Sequence, residues 1–393
     1  MCAHIHTNNV CKQVSLTESR HTTATPWRPL IPFILTDTTR LTSRYPTGDR
    51  GMRAAVLAER GKAGLTVTDF AEPVPAAGEA VMKVHAASIN HVDLYMRDSG
   101  AGISHELPLI LGVDGAGEIV EAPAGSHLKP GDPVVLYPMA SCGRCRACQA
   151  GDQANCSTFS ISGETRHGSF AELIAMPEHC FVPKPDNLSW EAAATLPVAY
   201  LTAWRMLFGR NPLQSAETVL IVGIGGGVAA ACLQMAKMVG AQTIVTSSSD
   251  EKLKWARDLG ADFGINYNTD KVAKQVMALT GGEGVDMVVD TVGEASWGDS
   301  LRSLRRSGRL VTCGATTGGH PSADIQRLFS KQLAIYGSTT GSLEEFRQLI
   351  EATRRGLIQP LIDRQYPLAK LPEGLERMER AEQRGKLVVN VSS

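Results

Sequence analysis

The hydrophobic and polar positions divide the chain into a β-rich part and a later part in which strand and helix patterns alternate. Over residues 52–183, short apolar runs such as EAVMKVHAASIN, GAGEIVEAP, GDPVVLYP and GSFAELIAM are separated by Gly and Pro. Runs of this length between turn residues are typical of β-strands. We therefore predict a small, irregular β-rich domain over residues 52–183.

The second pattern predicts a doubly wound parallel sheet over residues 184–342. Apolar strands are predicted at 219–222, 243–246, 262–266, 287–291, 308–313 and 333–336, and helices at 228–239, 251–259, 271–279, 297–305 and 325–330. Strands that alternate with helices pair in parallel through right-handed crossovers. Because the strands are continuously apolar, helices are expected on both faces of the sheet.

The C-terminal segment, residues 343–393, is too short to form a domain of its own. It contains a helical pattern at 343–356, another at 375–383, and a last strand, GKLVVNV. We predict that it returns to complete the first domain.

Residues 1–51 are rich in Thr, Ser and Arg, contain few acids and show no sustained apolar period. We predict a disordered extension, or sequence that lies before the true start at Met52. A transit peptide is the alternative, because Arg and Ser with few acids are typical of one. The segment PWRPLIPFIL is too short to span a bilayer.

A second uncharged stretch, residues 219–236, reads VLIVGIGGGVAAACLQMA. The glycines at 225–227 divide it, so a strand, a turn and the start of a helix explain it better than a membrane span.

Composition and charge exclude several classes of protein. The 393 residues are 43% hydrophobic and 20% charged, as in a soluble globular protein. A net charge of −1 without a basic stripe gives no indication of a nucleic-acid partner. The chain has nine cysteines, and the clustering of four of them indicates metal ligation in a reducing compartment, for which we predict the cytoplasm.

The clustered cysteines are Cys142, Cys145, Cys148 and Cys156. Two overlapping Cys-x-x-Cys steps followed by a fourth Cys can surround one tetrahedral Zn²⁺. Four thiolates leave no open coordination position, so this ion would stabilise structure and not catalyse. An Fe–S site, a disulfide pair and free thiols are the alternatives.

The segment VLIVGIGGGVAAACLQMAK predicts a dinucleotide site. Gly223 can make the tight turn after the strand, Gly226 and Gly227 let the backbone approach a pyrophosphate, and Val228 opens the helix. The helix N-terminus offers free N–H groups to that anion.

The second strand of this unit ends in TSSSDEK, where an NAD site usually has an acid for the ribose 2′-hydroxyl. Ser248 and its serine neighbours, with Lys252 one turn on, suit a 2′-phosphate instead. Asp250, an acid next to these serines, favours NAD instead. The alternative for Lys252 is that it is an ordinary solvated lysine with no role in cofactor binding. We predict NADPH, with NADH less favoured.

Several motifs resemble those of the medium-chain dehydrogenase/reductase superfamily. They are LGVDGAGEIV, the four-cysteine lobe, GSFAEL, AAATLPVAYLTAW, VLIVGIGGGVA, LGADFGINY and GKLVVNV, and the resemblance covers essentially residues 52–391. The resemblance implies an α/β protein with a GroES-like β-rich domain and a Rossmann doubly wound parallel-sheet domain. It also implies that the chain end rejoins the first domain.

Within this superfamily the alcohol dehydrogenases bind a second, catalytic zinc. The places of its three ligands hold Asn90, Val113 and Val198 here, with Asp114 at the nearby acid place, and Val92 replaces the hydroxyl of the proton relay. An amide and two aliphatic side chains do not form a zinc site. The resemblance therefore implies the quinone oxidoreductase and enoyl reductase branches, although many quinone oxidoreductases lack the zinc lobe kept here.

The resemblance also implies site residues. Asn90 and Tyr95 are the catalytic candidates, the first beside the nicotinamide as an orienting or donating amide and the second as a proton or hydrogen-bond donor. Thr202 is expected at the nicotinamide side, Tyr267 near the 2′-phosphate and Gly314 at the sheet edge where cofactors lie. Each of three candidates has a structural alternative. Asn90 could cap backbone groups, Tyr95 could be a half-buried aromatic residue, and Thr202 could form a hydrogen bond to its own helix backbone.

The sequence is less specific about four further residues. His91 is expected at the pyrophosphate or on the surface, and Asp93 and Asp114 either form a polar network below the site or support turns. Lys386 is expected to be a solvated lysine, with the cofactor phosphates as the alternative.

The sequence therefore predicts an NADPH-dependent reductase of a small quinone or α,β-unsaturated carbonyl that needs no Lewis acid. An alcohol or aldehyde dehydrogenase using NAD(P) and a non-catalytic NADPH-binding regulator are the alternatives. No membrane partner is expected. The strand at 333–336 would form a sheet edge, and the resemblance implies a homodimer or homotetramer.

Overall fold

A computed structural model describes residues 51–102 and 105–392. The predicted extension, residues 1–51, lies outside the described residues except for Gly51, where the first strand begins. No helix in the described part is long and apolar enough to cross a membrane.

The described strands number eighteen. They are β1 (Gly51–Leu57), β2 (Leu65–Ala71), β3 (Glu79–Ile89), β4 (Leu109–Ile110), β5 (Asp114–Glu121), β6 (Pro133–Leu136), β7 (Met139–Ala140), β8 (Ser160–Ile161), β9 (Leu173–Pro177), β10 (Phe181–Pro183), β11 (Thr218–Ile221), β12 (Gln242–Ser247), β13 (Phe263–Asn266), β14 (Val285–Asp290), β15 (Leu304–Thr312), β16 (Ala334–Gly337), β17 (Ile362–Pro367) and β18 (Lys386–Asn390).

The described part also contains eleven α-helices. They are α1 (His91–Asp98), α2 (Arg146–Gln149), α3 (Trp190–Ala193), α4 (Leu201–Trp204), α5 (Gly227–Met238), α6 (Asp250–Asp258), α7 (Val272–Leu279), α8 (Glu294–Ser303), α9 (Ile325–Lys331), α10 (Leu343–Arg354) and α11 (Leu371–Glu379). Wider π-helical turns at Leu196–Tyr200 and Arg205–Gly209 flank α4.

Strands of the first half of the chain and of the C-terminal segment form a largely antiparallel sheet of order β10-β6-β5-β3-β18-β17, in which β9 also pairs with β3. The C-terminal strand β18 lies antiparallel to β3 and parallel to β17. This arrangement brings the first residue of β18 next to the residue that follows β3. The chain end therefore contributes directly to the candidate site.

The second sheet has the order β13-β12-β11-β14-β15-β16, and every neighbouring pair in it is parallel. The strand order reverses between β11 and β14, which is where ligands bind in open α/β sheets. The three central strands β11, β12 and β14 are buried almost throughout, as their continuous apolar sequences predict. The predicted α/β class with a parallel sheet is confirmed, whereas the boundaries between domains stay predictions.

Two predicted helices were misplaced. The helix predicted at 297–305 ends at Ser303, because Leu304 already pairs with Val285 as the start of β15. The helix predicted at 375–383 begins at Leu371 instead, since Pro372 fits the first turn, where no N–H is required.

Candidate functional site

The four clustered cysteines converge on one point beside the β7–β8 hairpin. Their sulfur atoms lie within 4.8 Å of one another. The Sγ–Sγ distances are 3.5 Å for Cys145–Cys148, 3.6 Å for Cys142–Cys156 and 4.0 Å for Cys142–Cys148. Tetrahedral Zn–S bonds of about 2.3 Å place neighbouring sulfurs about 3.8 Å apart. The four thiols therefore fit a Zn²⁺ ion.

The backbone of this lobe favours thiolates. Backbone N–H groups lower the pKa of Cys142, and they lower that of Cys145 to about 6. Burial, followed by hydrogen bonds in which the Cys148 thiol donates to the neighbouring sulfurs, raises the pKa of Cys148 to about 12. A bound cation would offset this unfavourable effect, because metal ligation deprotonates a coordinating thiol.

The glycine turn between β11 and α5 has the form of a phosphate cradle. Gly223 and Gly225 have φ values of 76° and 124°, which side chains other than glycine rarely adopt. A Cβ on Gly227 would lie 2.7 Å from Cδ of Lys386, so this position also requires glycine. The turn ends at Gly226, the N-cap of α5, and Val228 lies in the first turn of the helix. The N-terminus of this twelve-residue helix therefore offers N–H groups that could bind a pyrophosphate.

A group of cations lies beside the end of β12. The Lys252 side chain packs on the glycine turn, since a Cβ on Gly225 would lie 2.8 Å from its Cδ, and its Nζ donates to Ala381 O. Burial lowers the pKa of Lys252, and the nearby Arg384 guanidinium lowers it further. Arg384 also donates to Glu251 at 2.5 Å, and a phosphate group beside the two cations would reduce their remaining repulsion.

The polar residues around these cations are exposed or already paired. Ser248 is exposed, and Tyr267, whose N–H donates to Ser247 O, is 49% exposed. The carboxylate of Asp250 accepts from Asn266 Nδ2 at 2.8 Å. Asp250 therefore has a partner on the neighbouring strand.

The places that correspond to catalytic-metal ligands converge on one buried carboxylate. Oδ2 of Asp114 accepts from Ser88 Oγ at 2.6 Å and from Asn90 Nδ2 at 2.7 Å. Its Oδ1 accepts from the backbone N–H of Val198 at 2.9 Å. Val113, the remaining ligand place, is buried.

Lys386 contradicts the expectation of a solvated lysine, because its side chain is only 2% exposed. Its Nζ donates to Ile89 O at 2.9 Å and to Asn90 Oδ1 at 2.6 Å, and lies 3.1 Å from Asp114 Oδ2. The lysine is the first residue of β18, and the pairing of β18 with β3 carries it to this place. An ammonium ion thus lies among the residues that replace the metal ligands.

The orientation of the Asn90 amide follows from its partners. An ammonium group can only donate and a carboxylate can only accept, so Oδ1 faces Lys386 and Nδ2 faces Asp114. The second hydrogen on Nδ2 points to Ser88 O, at 3.3 Å. Both amide donors are therefore engaged within the protein, and Asn90 is not placed to donate to a substrate.

Asp93 and His91 lie beside this network at the start of α1. Oδ2 of Asp93 accepts from Asn90 N at 2.7 Å as part of a capping box, while its buried Oδ1 has no hydrogen-bond partner in the described structure. Burial raises the pKa of Asp93 to about 8. His91 is exposed as a residue, but protein atoms surround its imidazole. Desolvation of the imidazole, followed by the charge of Lys386, lowers its pKa. Burial also raises the pKa of Glu164, close to Asp93, to about 7.

The remaining predicted site residues come from three elements. Tyr95 on α1 is half-buried, and burial, followed by the nearby Cys313 at the end of β15, raises the pKa of its hydroxyl. Gly314 comes directly after Cys313, and a Cβ there would lie 2.6 Å from Thr291 O. The structure thus places Tyr95 near the carboxyl end of β15. Thr202 is buried in α4.

Sequence reasoning missed the roles of Ser88, Arg384 and the Val198 N–H, and it misjudged Lys386. For Lys386 a signal was present, because a lone lysine precedes the three apolar residues of the strand KLVVN. For Arg384 the signal was weak, since it is one of several charged residues before β18.

Two family models match the chain. The model described as the alcohol dehydrogenase GroES-like domain matches residues 76–186, and the model described as zinc-binding dehydrogenase matches residues 227–355. Together they cover most of the β-rich part and of the parallel sheet.

Individual proteins are similar along most of the chain. A zinc-type alcohol dehydrogenase-like protein of Schizosaccharomyces pombe is 34% identical over 322 residues, covering 80% of this chain and 91% of that protein. The acryloyl-coenzyme A reductase of Metallosphaera sedula is 28% identical, covering 85% and 99%. A crystal structure of an NAD-dependent alcohol dehydrogenase has a TM-score of 0.84 and 37% identity, covering 87% of this chain and 100% of that one.

Proposed function

The chain belongs to the medium-chain dehydrogenase/reductase superfamily, and from this premise we propose that it reduces a quinone or an α,β-unsaturated carbonyl with NADPH, without a catalytic metal ion. That it is an oxidoreductase of this family follows from the matches along both halves of the chain. The acceptor, the cofactor preference and the metal-free mechanism are the proposal.

The observation that carries the proposal is the buried Lys386–Asp114 pair at the place of a catalytic ion. Among the residues that the structure describes, the four cysteines are the one group of three or more His, Cys, Asp or Glu side chains placed to hold a metal. At the second place, the carboxylate already accepts from a hydroxyl, an amide, an ammonium and a backbone N–H. A metal ion there would have to displace a lysine that neutralises the same charge.

This arrangement favours acceptors that carry their own electron sink. In a conjugated carbonyl the incoming negative charge spreads onto oxygen, whereas a simple aldehyde in the zinc enzymes relies on a Lewis acid. The acryloyl-coenzyme A reductase among the similar proteins is named for a conjugated substrate, which supports the same class of acceptor.

The cofactor, when bound, supplies the hydride, and the chain's own residues hold it and exclude water. The glycine turn and the N-terminus of α5 receive the pyrophosphate, and Thr202 lies on the neighbouring α4. Lys252, Arg384 and the exposed Ser248 and Tyr267 form the candidate 2′-phosphate site, which supports NADPH over NADH.

After hydride addition the acceptor needs a proton. Tyr95 is the candidate donor, because it is half-buried near the carboxyl end of β15 and its hydroxyl carries a proton at neutral pH. Asn90 has both amide hydrogens engaged, so in this proposal it positions groups and transfers no proton.

The four cysteines would hold one Zn²⁺ that stabilises the lobe between β7 and β8. The fully occupied tetrahedral donor set leaves no position for substrate. This zinc would therefore contribute to folding and would take no part in hydride transfer.

The test follows NADPH and NADH oxidation with a naphthoquinone, an enone, an enoyl thioester and a simple aldehyde, together with the zinc content per chain. We expect turnover of at least one conjugated acceptor and one zinc per chain. Turnover of the aldehyde alone with two zinc ions per chain would refute the proposal. Binding of NADPH without turnover of any of the four would favour a regulator.

A second candidate is an alcohol or aldehyde dehydrogenase that uses NAD. The solved NAD-dependent alcohol dehydrogenase, at 37% identity, favours it. Alcohol oxidation with NAD, measured beside the four acceptors, separates the two proposals, because this one requires that oxidation to exceed every reduction of a conjugated acceptor.

A further inference from the structure

We propose that Lys386 is the positioning residue of this active site, where its ammonium group takes the place of a catalytic ion and fixes Asn90 so that it presents only an acceptor. The inference rests on the proposed function and deepens it. It starts from the three contacts of one buried Nζ atom, to Ile89 O, Asn90 Oδ1 and Asp114 Oδ2.

The ammonium group is saturated by the protein. Its three N–H donors meet three oxygen atoms at 2.9, 2.6 and 3.1 Å, so none is left for a substrate oxygen. Lys386 therefore does not donate a proton in this geometry. Its influence on the reaction must pass through the groups that it holds.

Asn90 is the group that it holds most closely. Lys386 binds the amide oxygen while Asp114 binds the amide nitrogen, so the amide cannot rotate by 180° without placing like groups together at both ends. Both amide hydrogens are engaged, so the amide oxygen is the one group through which Asn90 could meet a ligand. Any contact that Asn90 makes with a bound ligand is consequently to an N–H or O–H donor, such as the carboxamide of a nicotinamide ring.

The position of the lysine chain supports a link between the two halves of the site. The Lys386 side chain packs against Gly227, the first residue of α5. A Cβ on that glycine would lie 2.7 Å from Cδ of Lys386. The preceding residue, Gly385, donates its N–H to Gly225 O at 2.9 Å. The residue before β18 thus contacts the glycine turn with its backbone, and the first side chain of β18 contacts the Asn90 network.

If Lys386 had only a structural role, its ammonium group would do no more than neutralise the charge of Asp114. Removal of Lys386 alone would leave a buried carboxylate without its counter-ion, which is strongly destabilising in proteins. The decisive variant therefore removes both charges. K386M/D114N keeps the stem and the shape of the acid but takes away the cation, so it separates stability from positioning.

The experiment compares wild type, K386M, K386M/D114N and, as a matched control, K237M, which removes the lysine of the Lys237–Asp262 pair away from the site. The readouts are Tm, the Kd of NADPH, the emission spectrum of bound NADPH, and single-turnover hydride transfer to the best acceptor. The emission spectrum reports how the nicotinamide ring is held and does not depend on turnover.

We expect K386M to lower Tm and the double variant to recover most of that loss. In both, hydride transfer falls about tenfold or more, as small misplacements of reacting groups do, while the Kd of NADPH changes less than about threefold. The emission of bound NADPH moves towards that of the free cofactor in both, and K237M leaves rate and emission unchanged.

Recovery of rate and emission together with Tm in the double variant would overturn the inference, because neutralisation of Asp114 would then be the whole role. A rise in the Kd of NADPH as large as the fall in rate would also overturn it, and would make Lys386 a phosphate contact. If none of the acceptors supports NADPH oxidation by the wild type, the proposed function fails. The Tm and the emission of bound NADPH still decide the role of Lys386 in that case.

Discussion

Replacement of Lys252 by methionine tests which cofactor the chain selects. The change removes one ammonium group beside the glycine turn and keeps most of the side-chain volume that packs on Gly225. Arg384 remains as the second cation of the site. The loss should therefore be partial for NADPH, and nearly absent for NADH, which lacks the 2′-phosphate.

The magnitude follows from the position of the side chain. Lys252 is partly buried, and its pKa is lowered by burial and by Arg384, so its charge is incompletely screened by water. A hydrogen bond to a charged group contributes about 1.5–3 kcal/mol. Since 1.4 kcal/mol is tenfold in affinity, the Kd of NADPH should rise about 10- to 100-fold. The change for NADH should stay within about twofold, because no hydrogen bond to a phosphate is lost.

The assay is a fluorescence titration of both reduced cofactors with wild type, K252M and K252E. The matched control is K254M, because Lys254 is an exposed lysine two positions further along the same helix. K252E should weaken NADPH further, since it places a carboxylate beside the phosphate. Equal losses for NADPH and NADH, or a loss for K254M as large as that for K252M, would refute the phosphate role.

Three further predictions concern other parts of the molecule. Chelation of zinc, or Cys148→Ser, should lower Tm, because structural zinc contributes about 10–16 kcal/mol in small peptides; lost turnover at unchanged Tm and circular dichroism would contradict a structural ion. The pKa of Asp93 is raised to about 8, so the folded state binds an extra proton above the unfolded pKa near 3.9, and the unfolding free energy of wild type should fall relative to D93N between pH 5 and 8; parallel urea-unfolding curves at pH 5, 6.5 and 8 would contradict this. We also propose a homodimer through the edge strand β16 and α9, where Ile325 and Phe329 are 67% and 69% exposed; F329E should halve the mass measured by light scattering, and an unchanged mass would place the interface elsewhere.

Local sequence determined much of the parallel sheet and of the metal lobe, because both depend on residues that are close along the chain. The run VLIVGIGGG contains a buried strand and a glycine turn within a few residues, and the structure has both where they were predicted. The four cysteines lie within fifteen positions, and their spacing alone brings the thiols together. Helix ends were less well predicted, as at Leu304, because pairing with β14 decided them.

Only the tertiary structure decided the centre of the candidate site. Asn90, Asp114, Val198 and Lys386 are distant along the chain, and they meet because β18 pairs with β3 while the turn at Val198 packs against Asp114. Whether a lysine is solvated or buried depends on such long-range pairing. Its side chain is stable in water, and it is stable in the interior when an acidic side chain lies beside it. Sequence could show that the metal ligands were missing, and the fold decided that an ammonium group stands in their place.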